Sequence, residues 1–103
     1  RAIAVLGDML ELGAYAEEAH RKIGEWMSAL PIDVFIGVGP LMAITHSEFV
    51  KTGRQSFSVS TSEEAGRILT GLCREGDTII VKGSRGMGME KVLEIKKEAE
   101  NAL

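Results

Sequence analysis

The sequence has 103 residues and a formal net charge of −3 at pH 7, which allows one domain with a substantial hydrophobic core. The small net charge, the absence of long runs of one sign and an aromatic content of 5% argue against general nucleic-acid binding. No apolar stretch approaches the roughly 20 residues of a membrane span, and no signal-peptide pattern is present.

Cysteine content and the first residue give two further expectations. Cys73 is the sole cysteine of the sequence, so no disulfide can form within the chain, and a reducing cytoplasm is the favoured location. The sequence begins with Arg1 rather than methionine, and strand-like residues follow at once. We therefore expect residues 1–103 to be a single domain cut from a longer polypeptide.

The first part of the chain reads as strand, loop and helix. Residues 2–6 form a continuous apolar run, which predicts a strand buried on both faces. A loop is predicted over residues 9–15. Apolar residues then recur at helical spacing over residues 16–30, and Pro31 ends that predicted helix.

The middle of the chain repeats this alternation. Residues 33–39 predict a second buried strand, and Pro40 suits the first turn of a helix that runs to about residue 51. Gly53 is expected to close that helix. Residues 56–59 alternate in polarity and are few, which predicts a third strand near the edge of the sheet.

The last part of the chain completes the pattern. Thr61 followed by Glu64 is a capping box that predicts the start of a third helix. A fourth strand is expected from Thr78, and a last helix from about Gly88 toward Leu103. Strands that alternate with helices predict a Rossmann-like, three-layer α/β/α fold with a mainly parallel sheet of about four strands.

A basic, glycine-rich turn over residues 82–88 separates the fourth strand from the last helix. Such a turn directs backbone N–H groups and a helix N-terminus toward an anion, and Lys82 and Arg85 add two cations. An anion site is therefore expected at the carboxyl end of this strand. A tight turn with solvated charges is the alternative interpretation.

The spacing of the glycines excludes two common phosphate-binding motifs. Gly83 and Gly88 match the glycines of a P-loop, but Met89 and Glu90 stand where that motif has Lys and Ser or Thr. The order G-x-x-G-x-G is also the reverse of a dinucleotide-binding fingerprint. The turn is predicted to bind neither a transferable phosphate in the P-loop manner nor a dinucleotide.

Acidic residues follow the first strand. If the first and fourth strands are neighbours, Asp8 and Glu11 would lie near Lys82 and Arg85, and the mixed charges would suit a zwitterion. Asp8 fits equally a role in capping or bracing the loop, and Glu11 fits a solvated loop acid.

The remaining polar and aromatic residues do not predict a reaction or a metal site. His20 could reach the strand ends, but a surface or helix-packing role is the favoured interpretation, and His46 is interpreted as structural. Trp26 fits packing in the core or at an interface. No catalytic residue and no metal-ligand spacing can be identified.

Two segments carry a resemblance to a known family. Residues 3–13, with His20 after them, and residues 81–91 closely resemble the C-terminal domain of the bacterial Mur ligases. Within that family, the sequence is most similar to the member that adds D-alanyl-D-alanine to UDP-N-acetylmuramoyl-tripeptide in peptidoglycan biosynthesis.

The resemblance implies an ATP-dependent amide ligase of three domains in the cytoplasm. An N-terminal domain would hold the UDP-N-acetylmuramoyl-tripeptide, and a central ATPase domain would hold ATP and Mg2+, mainly outside this fragment. The C-terminal domain would present D-alanyl-D-alanine. A non-catalytic Rossmann-like module that binds an anion or a partner protein remains the alternative.

By the same resemblance, the turns after the first and fourth strands line the site of the incoming substrate. The residues assigned to substrate binding are Asp8, Glu11, Lys82, Ser84 and Arg85. Ser84 and the N–H groups of the turn would hold the carboxylate or the acyl phosphate. No catalytic residue and no metal ligand is assigned to this chain.

Overall fold

Strands and α-helices alternate along the chain in the computed structural model, which describes residues 1–101. The strands are β1 (Ala2–Gly7), β2 (Val34–Val38), β3 (Gln55–Val59) and β4 (Thr78–Lys82). The helices are α1 (Ala16–Ser28), α2 (Met42–Phe49), α3 (Ser62–Leu72) and α4 (Glu90–Asn101). The predicted order of elements is confirmed, and the expected end of the last helix at Leu103 lies outside the described residues.

All strands of the sheet are parallel, in the order β3-β2-β1-β4. Leu6 of β1 pairs with Gly37 of β2 on one side and with Lys82 of β4 on the other. The predicted position of β3 at an edge is confirmed. The first and fourth strands are indeed neighbours, as the predicted mixed-charge pocket requires.

Two helical layers cover the sheet and create two hydrophobic clusters. On one face, α1 and α2 pack over Phe35, with Met27 and Met42 buried against it. On the other face, α3 and α4 bury Leu69 and Val92 against the alternate residues of the strands. Because side chains alternate across a strand, this arrangement explains why the segments of β1 and β2 are apolar without interruption.

The end of α2 and the start of α3 are set by local sequence signals. The Thr61 hydroxyl accepts the Glu64 N–H at 3.1 Å and so caps the start of α3. A 3-10 helix, Val50–Thr52, extends α2, and Gly53 ends it in the left-handed region at φ 79°. Both predicted signals are therefore confirmed.

The predicted end of the first helix was wrong, and one of the two positions considered for Trp26 is excluded. The helix stops at Ser28, and Leu30 lies beyond it with 52% of its surface exposed. Trp26 is 65% exposed, so a core position is excluded for it and an interface position is not. No helix within residues 1–101 has the length and apolar character needed to cross a bilayer.

Candidate functional site

The strand order reverses between β1 and β4, because the chain passes from β1 to β2 on one side and places β4 on the other. In parallel α/β sheets, ligands bind at the carboxyl ends of the strands that flank such a reversal. A cavity of about 400 Å³ lies at this position. It is lined by Leu6, Gly7, Met9, Ile23, Met42, Lys82, Gly83 and Ser84.

Two glycines allow the ends of β1 and β4 to approach closely at the base of the cavity. A Cβ atom on Gly83 would lie 3.0 Å from Cα of Gly7 and 2.7 Å from Cγ of Met89. A Cβ on Gly7 would in turn lie 2.6 Å from the sulfur of Met89. A side chain on Gly83 would therefore crowd the backbone of β1, and the buried Met89 side chain packs against both glycines.

Asp8 is held by the N-terminus of α2. Its carboxylate accepts the backbone N–H of Met42 at 2.7 Å and that of Leu41 at 3.2 Å. Only 1% of its surface is exposed. These bonds satisfy otherwise unpaired helix donors at the positive end of the helix dipole. Of the two roles considered for Asp8, the geometry favours the one in bracing the loop.

The next two residues of the loop after β1 are held by other elements. The Met9 N–H donates to Nε2 of His20 at 3.1 Å, and the Leu10 N–H donates to Oγ of Ser84 at 2.9 Å. The Ser84 N–H donates back to the Asp8 carbonyl at 3.2 Å. The loop after β1 and the basic turn are therefore joined by two hydrogen bonds, and Ser84 takes part in both.

Of the two predicted cations, Lys82 lines the cavity, which forms a crevice between the ends of β1 and β4, and Arg85 follows the lining residue Ser84 in the turn. The side chains of Lys82 and Arg85 are exposed, and neither forms an ion pair within residues 1–101. Glu11 is also exposed, and in the same described part of the chain no ion pair joins it to either cation. The structure thus brings Asp8 and Ser84 into direct contact and leaves the other three side chains available to solvent.

The basic turn does not have the form of a phosphate cradle. The N–H groups of Ser84, Met87 and Gly88 already donate to backbone carbonyls. A 3-10 helix over Arg85–Met87 interrupts the expected passage into the last helix, and Gly88 follows in the left-handed region at φ 57°. These three N–H groups of the turn are therefore not free to bind a ligand. Within residues 1–101, no group of three or more His, Cys, Asp or Glu side chains could hold a metal ion.

Sequence reasoning missed two parts of this arrangement. The N-terminus of α2 was not recognised as the partner of Asp8, although Pro40 marks that helix start. Gly39, at φ 107°, makes room for the carboxylate, since its Cβ would lie 2.6 Å from Oδ1 of Asp8. His20 is fully buried, so a surface role for it is excluded. Its ring does reach the end of β1, because Nε2 accepts the Met9 N–H.

Comparison with known proteins identifies the family of this chain. A family model described as "Mur ligase, glutamate ligase domain" matches residues 1–85, most of the chain. The chain belongs to the Mur ligase family. The resemblance read from residues 3–13 and 81–91 is therefore confirmed.

Two curated relatives of this Mur ligase domain share one name, UDP-N-acetylmuramoyl-tripeptide–D-alanyl-D-alanine ligase. The protein from Escherichia coli is 32% identical over 108 residues, which covers 93% of this chain and 21% of the relative. The protein from Bacillus subtilis is 33% identical over 96 residues, which covers 90% of this chain and 21% of the relative. The chain thus spans about a fifth of the length of these relatives.

Solved structures give the same result for the fold. MurF from Acinetobacter baumannii has a TM-score of 0.82 at 25% identity, covering 94% of this chain and 22% of that one. A MurF ligase from Thermotoga maritima in complex with ADP has a TM-score of 0.71 at 26% identity, covering 100% of this chain and 23% of that one. The predicted Rossmann-like α/β fold of this Mur ligase domain is confirmed.

Proposed function

We propose that residues 1–103 are one domain, the C-terminal substrate-presenting domain of an ATP-dependent amide ligase. The parent enzyme would join D-alanyl-D-alanine to UDP-N-acetylmuramoyl-tripeptide in peptidoglycan biosynthesis, in the cytoplasm. The names of the relatives support this assignment of substrates. One observation carries the role of the domain: the reversal of strand order lies beside two cations without ion-pair partners in residues 1–101, Lys82 and Arg85.

The chemistry of the dipeptide suits this crevice. D-alanyl-D-alanine is a zwitterion, so its carboxylate would lie against Lys82 or Arg85 through charge-assisted hydrogen bonds. The Ser84 oxygen accepts the Leu10 N–H, and its own O–H remains available to donate to the same carboxylate. Glu11, exposed on the facing loop, would attract the ammonium end. Asp8 would contribute by holding that loop in place.

ATP and Mg2+ belong mainly to the rest of the parent ligase in this proposal. The nucleotide would activate the terminal carboxylate of the tripeptide as an acyl phosphate. This domain would place the amine of the dipeptide for attack, since orientation of two bound reactants supplies much of the rate in such reactions. Its partners would be its own central ATPase domain and the two substrates.

The test is the kinetics of the full-length parent with Lys82→Ala or Arg85→Ala. Loss of one charge-assisted contact is worth about 1.5–3 kcal/mol, so kcat/KM for D-alanyl-D-alanine should fall roughly ten- to a hundredfold. The KM for ATP should change little. Lys97→Ala and Arg67→Ala, on exposed positions of α4 and α3, are the matched controls.

Two outcomes would contradict the proposal. Unchanged kinetics with the dipeptide in both variants would remove the site from this crevice. A change in the KM for ATP alone would indicate that the two cations bind the nucleotide and not the dipeptide.

A further inference from the structure

His20 is a buried titratable side chain that the proposed chemistry does not use. It lies on α1, with none of its surface exposed, and its ring contacts the loop after β1. Nε2 lies 3.1 Å from the backbone nitrogen of Met9, and Nδ1 lies 2.6 Å from the carbonyl oxygen of Ala16. Both ring nitrogens therefore have a backbone partner.

The hydrogen-bond partners determine which ring nitrogen carries the proton. The Met9 N–H can only donate, so Nε2 must accept with its lone pair. The Ala16 carbonyl can only accept, so Nδ1 must carry the proton. A ring with both nitrogens protonated would set one donor against another at Met9. The hydrogen bonds thus assign the Nδ1–H tautomer to the ring, with Nε2 as the acceptor.

The backbone of His20 is bonded to the neighbouring helix α2. The Thr45 hydroxyl of α2 donates to the His20 carbonyl at 2.6 Å, and Thr45 itself is fully buried. The imidazole therefore connects α1, which is packed against α2, to the loop after β1. Asp8, one residue before Met9, is bonded to the same helix pair through the N-terminus of α2.

We propose that His20 is the positioning residue of the candidate site. Its Nε2 acceptor holds the Met9 amide, and this fixes the stretch of loop whose next amide bonds to Ser84. Met9 and Ser84 both line the cavity, so the imidazole sets one wall of the crevice relative to the basic turn. The effect on substrate rests on the proposed function, whereas the hold on the loop does not.

The test uses two substitutions of His20 in the full-length parent. His20→Gln keeps an acceptor oxygen near the position of Nε2. His20→Asn reaches only as far as Nδ1, so it can bond to the Ala16 carbonyl and leaves Met9 without an acceptor. His46→Asn is the matched control, because the ring of His46 bonds to the Ser56 hydroxyl between α2 and β3.

The primary measurement is amide hydrogen exchange of peptides that cover residues 8–12, detected by mass spectrometry. Loss of one hydrogen bond should speed exchange at Met9 roughly tenfold in His20→Asn. Exchange in His20→Gln and in His46→Asn should match the wild type. Protection of Met9 in His20→Asn as strong as in the wild type would overturn the proposal, and so would its loss in His20→Gln. Should His20→Asn fail to fold, His20→Gln alone decides by the same criterion.

Kinetics separate positioning from mere stability. The KM for D-alanyl-D-alanine should rise roughly tenfold in His20→Asn and return to the wild-type value in His20→Gln. An unchanged KM in His20→Asn would overturn the positioning role. If the wild-type parent does not use the dipeptide at all, the proposed function fails, and the exchange measurement still decides whether His20 holds the loop.

Discussion

The carboxylate of Asp8 accepts a hydrogen bond of 2.7 Å from the backbone N–H of Met42, 34 positions further along the chain. A residue of the loop after β1 thereby caps a helix that begins only after β2. The helix N-terminus supplies both the donors and a positive potential, so the buried carboxylate is satisfied without a cation. This contact fixes the loop that forms one side of the candidate crevice.

Gly39→Ala should destabilise the protein by more than about 2 kcal/mol. Gly39 has a φ of 107°, and a Cβ there would lie 2.6 Å from Oδ1 of Asp8, so the substitution adds overlap to backbone strain. The measurement is urea denaturation. Gly53→Ala isolates the strain, because Gly53 has a φ of 79° with open space around its Cβ position, and about 1–2 kcal/mol is expected. Equal losses of unfolding free energy in the two variants would show that the Asp8 carboxylate does not lie against Gly39.

Arg54→Lys should lower the free energy of unfolding by about 1.5–3 kcal/mol. The guanidinium donates to the carbonyls of Leu30 at 2.8 Å and Ile32 at 2.6 Å, and also to that of Ser28 at the end of α1. It lies 4.8 Å from the centre of the Phe49 ring. An ammonium cannot reproduce this fork.

Arg21→Lys, at an exposed position on α1, is the control for Arg54→Lys and should leave the denaturation midpoint unchanged. A midpoint for Arg54→Lys equal to that of the wild type would show that these carbonyl contacts contribute no stability.

The ion pair between Arg1 and Asp77 should make stability depend on pH in the acid range. The hydrogen bond from Arg1, helped by the backbone N–H of Arg74, lowers the pKa of Asp77 from 3.8 to about 2. Because the folded pKa lies below the unfolded one, the contribution is complete above pH 4 and disappears as the pH falls toward 2. The difference in unfolding free energy between wild type and Asp77→Asn should shrink over this window. A constant difference would contradict the assignment.

Residues 1–103 alone should neither hydrolyse ATP nor form an amide bond. The basic turn lacks the form of a phosphate cradle, and its amides at Ser84, Met87 and Gly88 are already engaged. The measurement is phosphate release by the purified fragment in the presence of Mg2+, with the full-length parent as positive control. ATP turnover by the fragment would place nucleotide chemistry in this domain.

The order of elements could be predicted because several boundaries have a local cause. Gly53 and Thr61 mark the end of one helix and the start of the next through their own backbone and hydroxyl groups, and both signals are confirmed. The first helix shows the limit of this reasoning. Apolar residues keep helical spacing up to Leu30, but Leu30 and Trp26 are exposed. Helical spacing alone does not show which side of a helix has no other element packed against it.

The position of the candidate site was predictable in part. A glycine turn with two cations after a strand is a local pattern, and the adjacency of β1 and β4 then places it beside the loop of Asp8 and Glu11. The partner of Asp8 was not predictable. Its donors belong to a helix that comes close only when β1 and β2 pair in the sheet.

The sequence by itself determined the alternation of strands and helices, the need for glycine at the turns and the cationic character of one strand end, since periodicity, backbone sterics and charge act over a few residues. Only the tertiary structure decided which of the polar side chains are engaged. Asp8, His20 and Ser84 have partners supplied by other elements, whereas Lys82 and Arg85 are exposed. The reason is that a buried hydrogen bond requires both groups in one place, and distant segments meet only through the order in which the strands pair.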